Sequence, residues 1–210
     1  MRFIKDESRT YCLNAIEKHI NRKASLMITG NYGSGKTDLL KQIKNNSKII
    51  RVRSLGSLYQ LLGRIAGVKE ARPHHKAKYL DYRCENPCIV IIDEAQDLPI
   101  DIYPYLKIII DAGNVVILAG LPELHSILKN RHPDVLSRLT PIQLKPLTEA
   151  DMFALVKDDF EEDAFAILYG STEDMRVMTS CIQNCRDYLE ANGLTKVDAD
   201  IVEKFIDMED

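Results

Sequence analysis

The sequence lacks the features that place a protein in a membrane or in an oxidising compartment. No apolar run approaches the ~20 residues of a membrane-spanning helix, because the longest runs, Cys88–Ile92 and Val115–Leu118, have the length of strands. The first residues, Met1–Glu7, contain no apolar segment of the kind found in secretion signals. The five cysteines are an odd number and follow no disulfide-framework pattern. These absences predict a cytoplasmic protein with reduced thiols.

Length and composition indicate an ordinary globular protein. At roughly 150 residues per domain, a chain of 210 residues allows one domain, or one domain with a small appendage. Hydrophobic residues make up 45% of the chain and charged residues 28%, which excludes collagen-like and disordered classes. The sequence contains no internal repeat and no low-complexity segment.

Charge is distributed unevenly along the chain. Residues 1–83 carry a net charge of +12, residues 84–148 carry −3 and residues 149–210 carry −12, although the whole chain carries only −3. The first part can therefore face a polyanion such as nucleic acid, whereas the last part cannot. The alternative is that the two ends neutralise each other within one molecule.

Strands and helices alternate over the first two-thirds of the chain. The predicted strands are Ala24–Thr29, Lys48–Arg53, Cys88–Ile92, Val115–Ala119 and Ile142–Leu144. The predicted helices are 7–21, Asp38–Lys44, Leu58–Ala66, Tyr103–Ala112 and Glu123–Lys129. Uninterrupted apolar strands are typical of a parallel sheet covered on both faces. Residues 1–146 are therefore predicted to form an α/β domain with a parallel sheet flanked by helices.

The pattern changes after Pro146, where only helices are predicted. They lie at about 149–159, 161–169, 172–191 and 198–207. Thr148 is the predicted N-cap of the first, because a Ser or Thr hydroxyl followed by acidic residues favours a helix start. Residues 147–210 are predicted to form a small, acidic, all-helical domain.

A phosphate-binding loop follows the first predicted strand and opens a helix. Its residues fit the pattern G-x-x-x-x-G-K-S/T and read Gly30-Asn31-Tyr32-Gly33-Ser34-Gly35-Lys36-Thr37. Glycines let backbone N–H groups turn inward around a phosphate at the positive end of the helix. Lys36 is expected to reach the β- and γ-phosphates of a nucleotide, and the Thr37 hydroxyl to bind Mg²⁺.

Two carboxylates end the apolar strand that follows, in the sequence Ile89–Glu94. Asp93 is expected to hold the Mg²⁺ of a bound nucleotide, and Glu94 to polarise the attacking water. An Asp-Glu pair after a strand is a weak signal alone, but it gains weight some fifty residues after a phosphate loop. The alternative for Glu94 is a solvated loop acid.

Three segments together resemble AAA+ ATPases. They are the phosphate loop, Asp93-Glu94-Ala95-Gln96-Asp97-Leu98, and Ala119-Gly120-Leu121-Pro122-Glu123-Leu124. Within that family the sequence looks like the branch of the transposition regulators MuB, TniB and TnsC and the secretion ATPase ExeA. The resemblance implies a P-loop NTPase fold with a helical lid, ATP and Mg²⁺ as ligands, and self-association into a head-to-tail ring or filament. Leu121 falls where the family usually has a polar "sensor 1" residue, which argues against fast hydrolysis.

The resemblance also assigns roles to arginines. Arg138, just before the last predicted strand, matches the finger that a neighbouring subunit supplies to the transferring phosphate, and Arg131 is the alternative. Arg176 matches the lid arginine that reaches the γ-phosphate within the same subunit. The other interpretations are a surface arginine for Arg138 and a salt bridge with Glu173 for Arg176.

Basic residues are concentrated on the second strand and in the polar segment 67–87. We interpret these residues as a sequence-independent contact with the DNA backbone, and they are Arg51, Arg53, Lys69, Arg72, Lys76 and Lys78. The alternative is a solvated loop that covers the acidic lid. The pairs Cys84/Cys88 and Cys181/Cys185 have a spacing that zinc permits, but we interpret these cysteines as core thiols.

The leading functional hypothesis is an ATP-dependent, DNA-binding regulator of transposition. It would assemble on duplex DNA and deliver that DNA to a transposase, and hydrolysis would dismantle the assembly. Three alternatives remain: an ExeA-like secretion ATPase, an initiator or helicase-loading ATPase, and a nucleotide-gated scaffold that barely hydrolyses. The first two usually carry further segments that this sequence is not expected to contain.

Overall fold

The computed structural model describes residues 6–44, 49–52, 88–172 and 174–206, with side chains left out for 49–52, Asp101 and Arg176. The strands are β1 (Ser25–Thr29), β2 (Ile49–Val52), β3 (Ile89–Ile92), β4 (Val115–Gly120) and β5 (Leu139–Gln143). The helices of the first part are α1 (Glu7–Asn21), α2 (Lys36–Lys41), α3 (Tyr103–Asp111), α4 (Glu123–Arg131) and α5 (Pro133–Leu136). The helices after them are α6 (Glu149–Val156), α7 (Glu162–Ser171), α8 (Met175–Asn192) and α9 (Ala199–Ile206). Short 3-10 turns cover Ala95–Asp97 and Ile100–Ile102.

The five strands form one parallel sheet in the order β2-β3-β4-β1-β5. β1 lies between β4 and β5, so that Leu26 pairs with Ile117 on one side and Thr140 on the other. All five strands are parallel, and their carboxyl ends therefore lie side by side at the same end of the sheet. The predicted fold class is confirmed.

Alternate residues of β1, β3 and β4 contribute to two separate hydrophobic layers. Met27, Val90 and Leu118 face a layer built with α3 and α4. Leu26 and Ile117 face the opposite layer, where α1 and α2 pack. Because a strand alternates its side chains between faces, a strand covered on both faces must be apolar throughout, as β3 and β4 are.

Helix α1 begins at a side-chain cap. Asp6 accepts a hydrogen bond from the Arg9 backbone N–H at 2.6 Å, which satisfies one of the free donors at a helix start. Further along, Cys12, Ile16 and Ile20 are buried at the three- and four-residue spacing of one helix face. That face is what fixes α1 against β1.

Three elements differ from the sequence prediction, and one of them, α5 (Pro133–Leu136), is not among the predicted helices. The predicted strand Ile142–Leu144 is instead β5, Leu139–Gln143, an edge strand that includes Pro141. An edge strand has one side without ladder bonds and so tolerates proline, which masked its pattern in the sequence. The predicted helix Asp38–Lys44 is instead α2, Lys36–Lys41: it begins earlier because Gly35 with φ +82° ends the loop there, and it also ends three residues earlier. The predicted helix Leu58–Ala66 lies outside the described residues.

The chain divides into two compact units. The first comprises Met1–Asn31 and Gly35–Lys145, and the second comprises Tyr32–Ser34 and Pro146–Asp210. No helix in the described part of the chain has both the length and the apolar character needed to cross a bilayer.

The second unit has its own core. A reciprocal cap between Thr148 and Asp151 starts α6. Phe165 stands at the centre of an aromatic group, with ring centroids 5.7 Å from Phe153 and 6.2 Å from both Phe160 and Tyr169. The buried thiols Cys181 and Cys185 lie on one face of α8 and are not paired in a disulfide.

Candidate functional site

The loop after β1 has the backbone of a phosphate cradle. Gly33 and Gly35 both have positive φ, +70° and +82°, a conformation that glycine adopts without steric cost. The Gly30 N–H donates to the Gly120 carbonyl at 3.2 Å and thereby ties the start of the loop to the end of β4. The first N–H groups of α2, a helix of six residues, follow directly.

Lys36 is held inside this loop. Its ammonium donates to the Gly30 carbonyl at 2.9 Å and to the Asn31 carbonyl at 3.0 Å, and the side chain is buried. Burial lowers the pKa of Lys36 from its usual value, while the carboxylates of Glu94, Asp93 and Glu123 oppose that shift. Lys36 is therefore a fixed and partly dehydrated cation. A phosphate in the loop would supply a counter-charge that the two carbonyls do not.

Thr37 and Asp93 meet although 56 positions separate them. The Thr37 hydroxyl donates to Asp93 Oδ2 at 2.6 Å. Thr37 is the second residue of α2, which follows β1, and Asp93 follows β3. The parallel sheet brings the carboxyl ends of these two strands together. Hydroxyl and carboxylate oxygens are the ligands that Mg²⁺ takes together with nucleotide phosphates. The pair therefore fits the predicted metal role, which stays a prediction.

Glu94 follows Asp93 in a left-handed backbone conformation, with φ +49° and ψ +46°. This conformation is uncommon for a residue with a side chain and clusters at functional sites. Glu94 Oε2 accepts a hydrogen bond from Gln96 Nε2 at 2.8 Å, and Gln96 Oε1 accepts one from the Leu121 backbone N–H at 3.1 Å. Gln96 was not assigned a role from the sequence, although it belongs to the Asp-Glu-Ala-Gln segment that signalled the family.

Arg9 is a second residue that the sequence did not single out. It lies on α1 with only 2% of its surface exposed, forms an ion pair with Asp6, and its guanidinium lies beside Gly35. An ideal Cβ at Gly35 would be 3.4 Å from Arg9 Nη2. Arg9 lies three residues before Cys12, on the buried face of α1. A prediction based on the spacing of apolar residues does not identify an arginine at such a position.

Arg138 lies at the amino-terminal end of the strands, opposite the end that carries the phosphate loop. It directly precedes β5, whose first residue Leu139 pairs with Ser25, the first residue of β1. Its Nε donates to Asp111 Oδ1 at 2.6 Å, and its Nη2 donates to Asp111 Oδ2 at 3.1 Å. Its Nη1 donates to the Asp134 carbonyl at 2.6 Å. Arg138 and Lys36 are therefore not brought together within one chain.

The remaining predicted residues are placed only in part. Arg131 is exposed in the last turn of α4. Arg176 lies in the first turn of α8, next to Met175, on whose side chain a Cβ at Gly33 would fall; Gly33 and Met175 belong to the same unit. For Arg51 only the backbone, in β2, is described. The other predicted DNA contacts lie outside the described residues, and they are Arg53, Lys69, Arg72, Lys76 and Lys78.

Two of three comparisons with known proteins found matches. A family model described as AAA domain matches residues 19–128, more than half of the chain. No curated protein matches the sequence. Among solved structures, the ORC2 protein of Aeropyrum pernix in its ADPNP-ADP complexes is 18% identical with a TM-score of 0.66, over 98% of this chain and 70% of that one. A mutant of RuvB from Thermotoga maritima is also 18% identical, with a TM-score of 0.62 and the same coverage.

The sheet order, the phosphate loop and the carboxylates after β3 define a P-loop nucleotide-binding protein. The chain belongs to the AAA domain family and has the fold of AAA+ ATPases. At 18% identity, the similarity to ORC2 and RuvB concerns the fold alone.

Proposed function

We propose that this protein is an ATP-hydrolysing regulator of DNA transposition, which assembles head to tail on duplex DNA and delivers that DNA to a transposase. The observation that carries the nucleotide part is the 2.6 Å contact between Thr37 and Asp93, with Lys36 and Glu94 beside them in the chain. The transposition part rests on the resemblance of three sequence segments to the MuB, TniB and TnsC branch. The DNA part rests on the charge of +12 carried by residues 1–83.

The chemistry follows from the position of each group. Loop N–H groups and Lys36 hold the β- and γ-phosphates. Thr37 and Asp93 would hold Mg²⁺, which would supply positive charge to the phosphate oxygens. Glu94 takes a proton from water as the water oxygen bonds to the γ-phosphorus. The bond from that phosphorus to the oxygen of the β-phosphate breaks, and ADP and inorganic phosphate result.

Two arginines complete the site in this proposal. Arg138 comes from the neighbouring subunit, because within its own chain it lies at the amino-terminal end of the strands, away from the phosphate loop. Arg176, in the first turn of α8, stays the sequence-based candidate for a γ-phosphate contact within the same subunit. The basic first part and the acidic last part of the chain suit a head-to-tail contact between copies.

A second candidate is a nucleotide-gated scaffold with very slow hydrolysis. It is favoured by Leu121, which is buried and apolar where the family usually has a polar residue. Under this reading ATP binding alone drives assembly. The two candidates differ in the rate at which the assembled protein hydrolyses ATP.

The test combines imaging with turnover. Wild-type protein, duplex DNA and a non-hydrolysable ATP analogue should give ordered assemblies that ADP does not support. Glu94→Gln should assemble with ATP and fail to disassemble, because Mg²⁺ binding through Asp93 survives while water activation is lost. Equal turnover by wild type and Glu94→Gln would show that the base lies elsewhere. A turnover near zero in wild type, with normal assembly, would favour the scaffold.

DNA binding by the assembled protein should be independent of sequence and steeply dependent on salt. With about six phosphates neutralised per assembly unit, affinity should fall ~10³-fold between 50 and 200 mM salt. The double substitution Lys76→Ala and Lys78→Ala should reduce both the affinity and the slope. Lys41→Ala, an exposed lysine paired with Asp38 on α2, is the matched control. A flat salt response, or tight binding to a single sequence, would contradict the proposed interface.

A further inference from the structure

Gln96 bridges the carboxylate that follows β3 and the backbone that follows β4. One end of its carboxamide donates to Glu94 Oε2 at 2.8 Å, and the other end accepts from the Leu121 N–H at 3.1 Å. Both bonds have ordinary hydrogen-bond lengths. The bridge thus connects the residue proposed as general base to the strand end where the family usually places a polar sensor.

Gly120 leaves the space that this bridge occupies. A Cβ at Gly120 would stand 2.6 Å from Gln96 Oε1 and 3.0 Å from Leu124 Cδ2. Gly120 does not have the positive φ that explains Gly33 and Gly35. The close approach of the Gln96 side chain is therefore the physical reason for a glycine at the end of β4.

The bridge meets a need that is specific to Glu94. Its backbone is left-handed, and its carboxylate is only half-buried, so packing alone does not fix the side chain. Among the side chains that the structure describes, Gln96 is the one that donates to this carboxylate. A carboxylate held at Oε2 keeps Oε1 available to accept the proton of a water.

We propose that Gln96 is a positioning residue for hydrolysis, which orients Glu94 and anchors it to the Leu121 N–H in place of a polar sensor side chain. The proposal rests on the proposed function, because it requires Glu94 to act as the base. It makes the Gln96–Gly120 pair a determinant of turnover rather than of nucleotide affinity.

The first test separates turnover from binding. Gln96→Met keeps the length of the side chain and removes both hydrogen bonds, and Gln96→Glu keeps the acceptor for Leu121 but no longer donates to Glu94. Both should lower kcat about 10- to 100-fold, the scale of a misplaced catalytic group, and leave the dissociation constant of ATP within about twofold. Gln183→Met removes a similar amide-to-carboxylate bond, to Asp187 on α8, and should change neither. An unchanged or raised kcat in Gln96→Met would overturn the proposal, as would a loss matched by weaker ATP binding.

The second test asks whether Gly120 and Gln96 act as one unit. Gly120→Ala should reproduce the loss of kcat, since its Cβ displaces the carboxamide, and adding Gln96→Met should lower kcat little further. Gly170→Ala, where a Cβ would have nothing within 4 Å, is the control. Losses that multiply in the double variant would mean that the two residues act separately and would overturn the pairing.

The third test needs no turnover and so distinguishes a failure here from a failure of the proposed function. Amide hydrogen exchange at Leu121, in protein without nucleotide, should accelerate in Gln96→Met and stay near the wild-type rate in Gln96→Glu, where the acceptor remains. Equal exchange in wild type and Gln96→Met would show that the bridge does not form, and would overturn the proposal. If the bridge forms but wild-type protein hydrolyses no ATP, the proposed function fails and takes this role of Gln96 with it.

Discussion

At Lys36, burial and charge act in opposite directions. Burial penalises the ammonium and lowers its pKa, whereas the nearby carboxylates, Glu94 and Asp93 foremost, favour the charged form. The two carbonyls that it contacts compensate only part of the lost hydration. A phosphate placed in the loop supplies the missing counter-charge, so the lysine contributes more to binding than an exposed lysine does.

Lys36→Ala should therefore remove most of the affinity for ATP. Truncating one partner of a buried charge pair costs about 2–5 kcal/mol, so the dissociation constant should rise at least ~30-fold. Titration of a fluorescent nucleotide measures it, with Lys41→Ala, five residues along the same helix, as control. Binding at wild-type strength in Lys36→Ala would remove the phosphate-loop assignment.

At the scale of elements, the sequence predicts the central strands well and the edge strand β5 poorly. β3 and β4 are recognisable because burial on both faces requires uninterrupted apolar residues. β5 is displaced in the prediction because Pro141 and two exposed positions interrupt its pattern. The phosphate loop and the Asp93–Glu94 pair are recognisable because their chemistry demands fixed residue types at fixed spacing.

The sequence does not predict how side chains connect these elements. The bond from Gln96 to Leu121 and the position of Arg9 beside Gly35 depend on three-dimensional proximity that no local pattern encodes. Tyr103 is another such link: its hydroxyl, in the first turn of α3, donates to the Ala95 carbonyl at 2.8 Å. That bond fastens α3 to the turn that carries the Glu94 site.

Tyr103 should make stability dependent on alkaline pH. Burial, assisted by Asp97, raises its pKa from 10.0 to about 12. The folded state therefore keeps a proton that the unfolded state has lost between these values, and stability falls as pH rises through this range, by about 1 kcal/mol at pH 11. Tyr103→Phe should be less stable by about 1 kcal/mol at pH 8, where it lacks the hydrogen bond, and the difference from wild type should shrink by pH 11.

Urea unfolding of both proteins at pH 8 to 11 measures the stability difference. The difference between the two proteins cancels the other groups that titrate in this range. Tyr11→Phe, at a position with 68% of its surface exposed, controls for the loss of a phenol. A difference that stays constant with pH would mean that Tyr103 is not held in its neutral form by the fold.

At the scale of the whole molecule, the parallel sheet separates Arg138 from the phosphate loop of its own chain. β1 and β5 run side by side from the Ser25–Leu139 pair to the Thr29–Gln143 pair, about 13 Å at ~3.3 Å per residue. Arg138 precedes this stretch and the phosphate loop follows it. Its two bonds to Asp111 hold it in place, yet a partly exposed pair of this kind contributes only about 0–1 kcal/mol. Arg138 can therefore leave Asp111 at little energetic cost and bind the phosphate of a nucleotide held by a neighbouring subunit.

If Arg138 serves the neighbouring subunit, Arg138→Ala should bind ATP nearly as wild type does, because Lys36, Thr37 and Asp93 remain in the chain. Its hydrolysis and its ATP-dependent assembly on duplex DNA should fail, with turnover down by ~10³-fold or more. Arg186→Ala removes a comparable arginine paired with Asp159 in the second unit and is the matched control. Mixing Arg138→Ala with Glu94→Gln should restore part of the turnover, since some interfaces then join an intact Glu94 site to an intact arginine. Confirmed co-assembly without recovery would exclude Arg138 as the shared arginine and direct the same mixing experiment to Arg131.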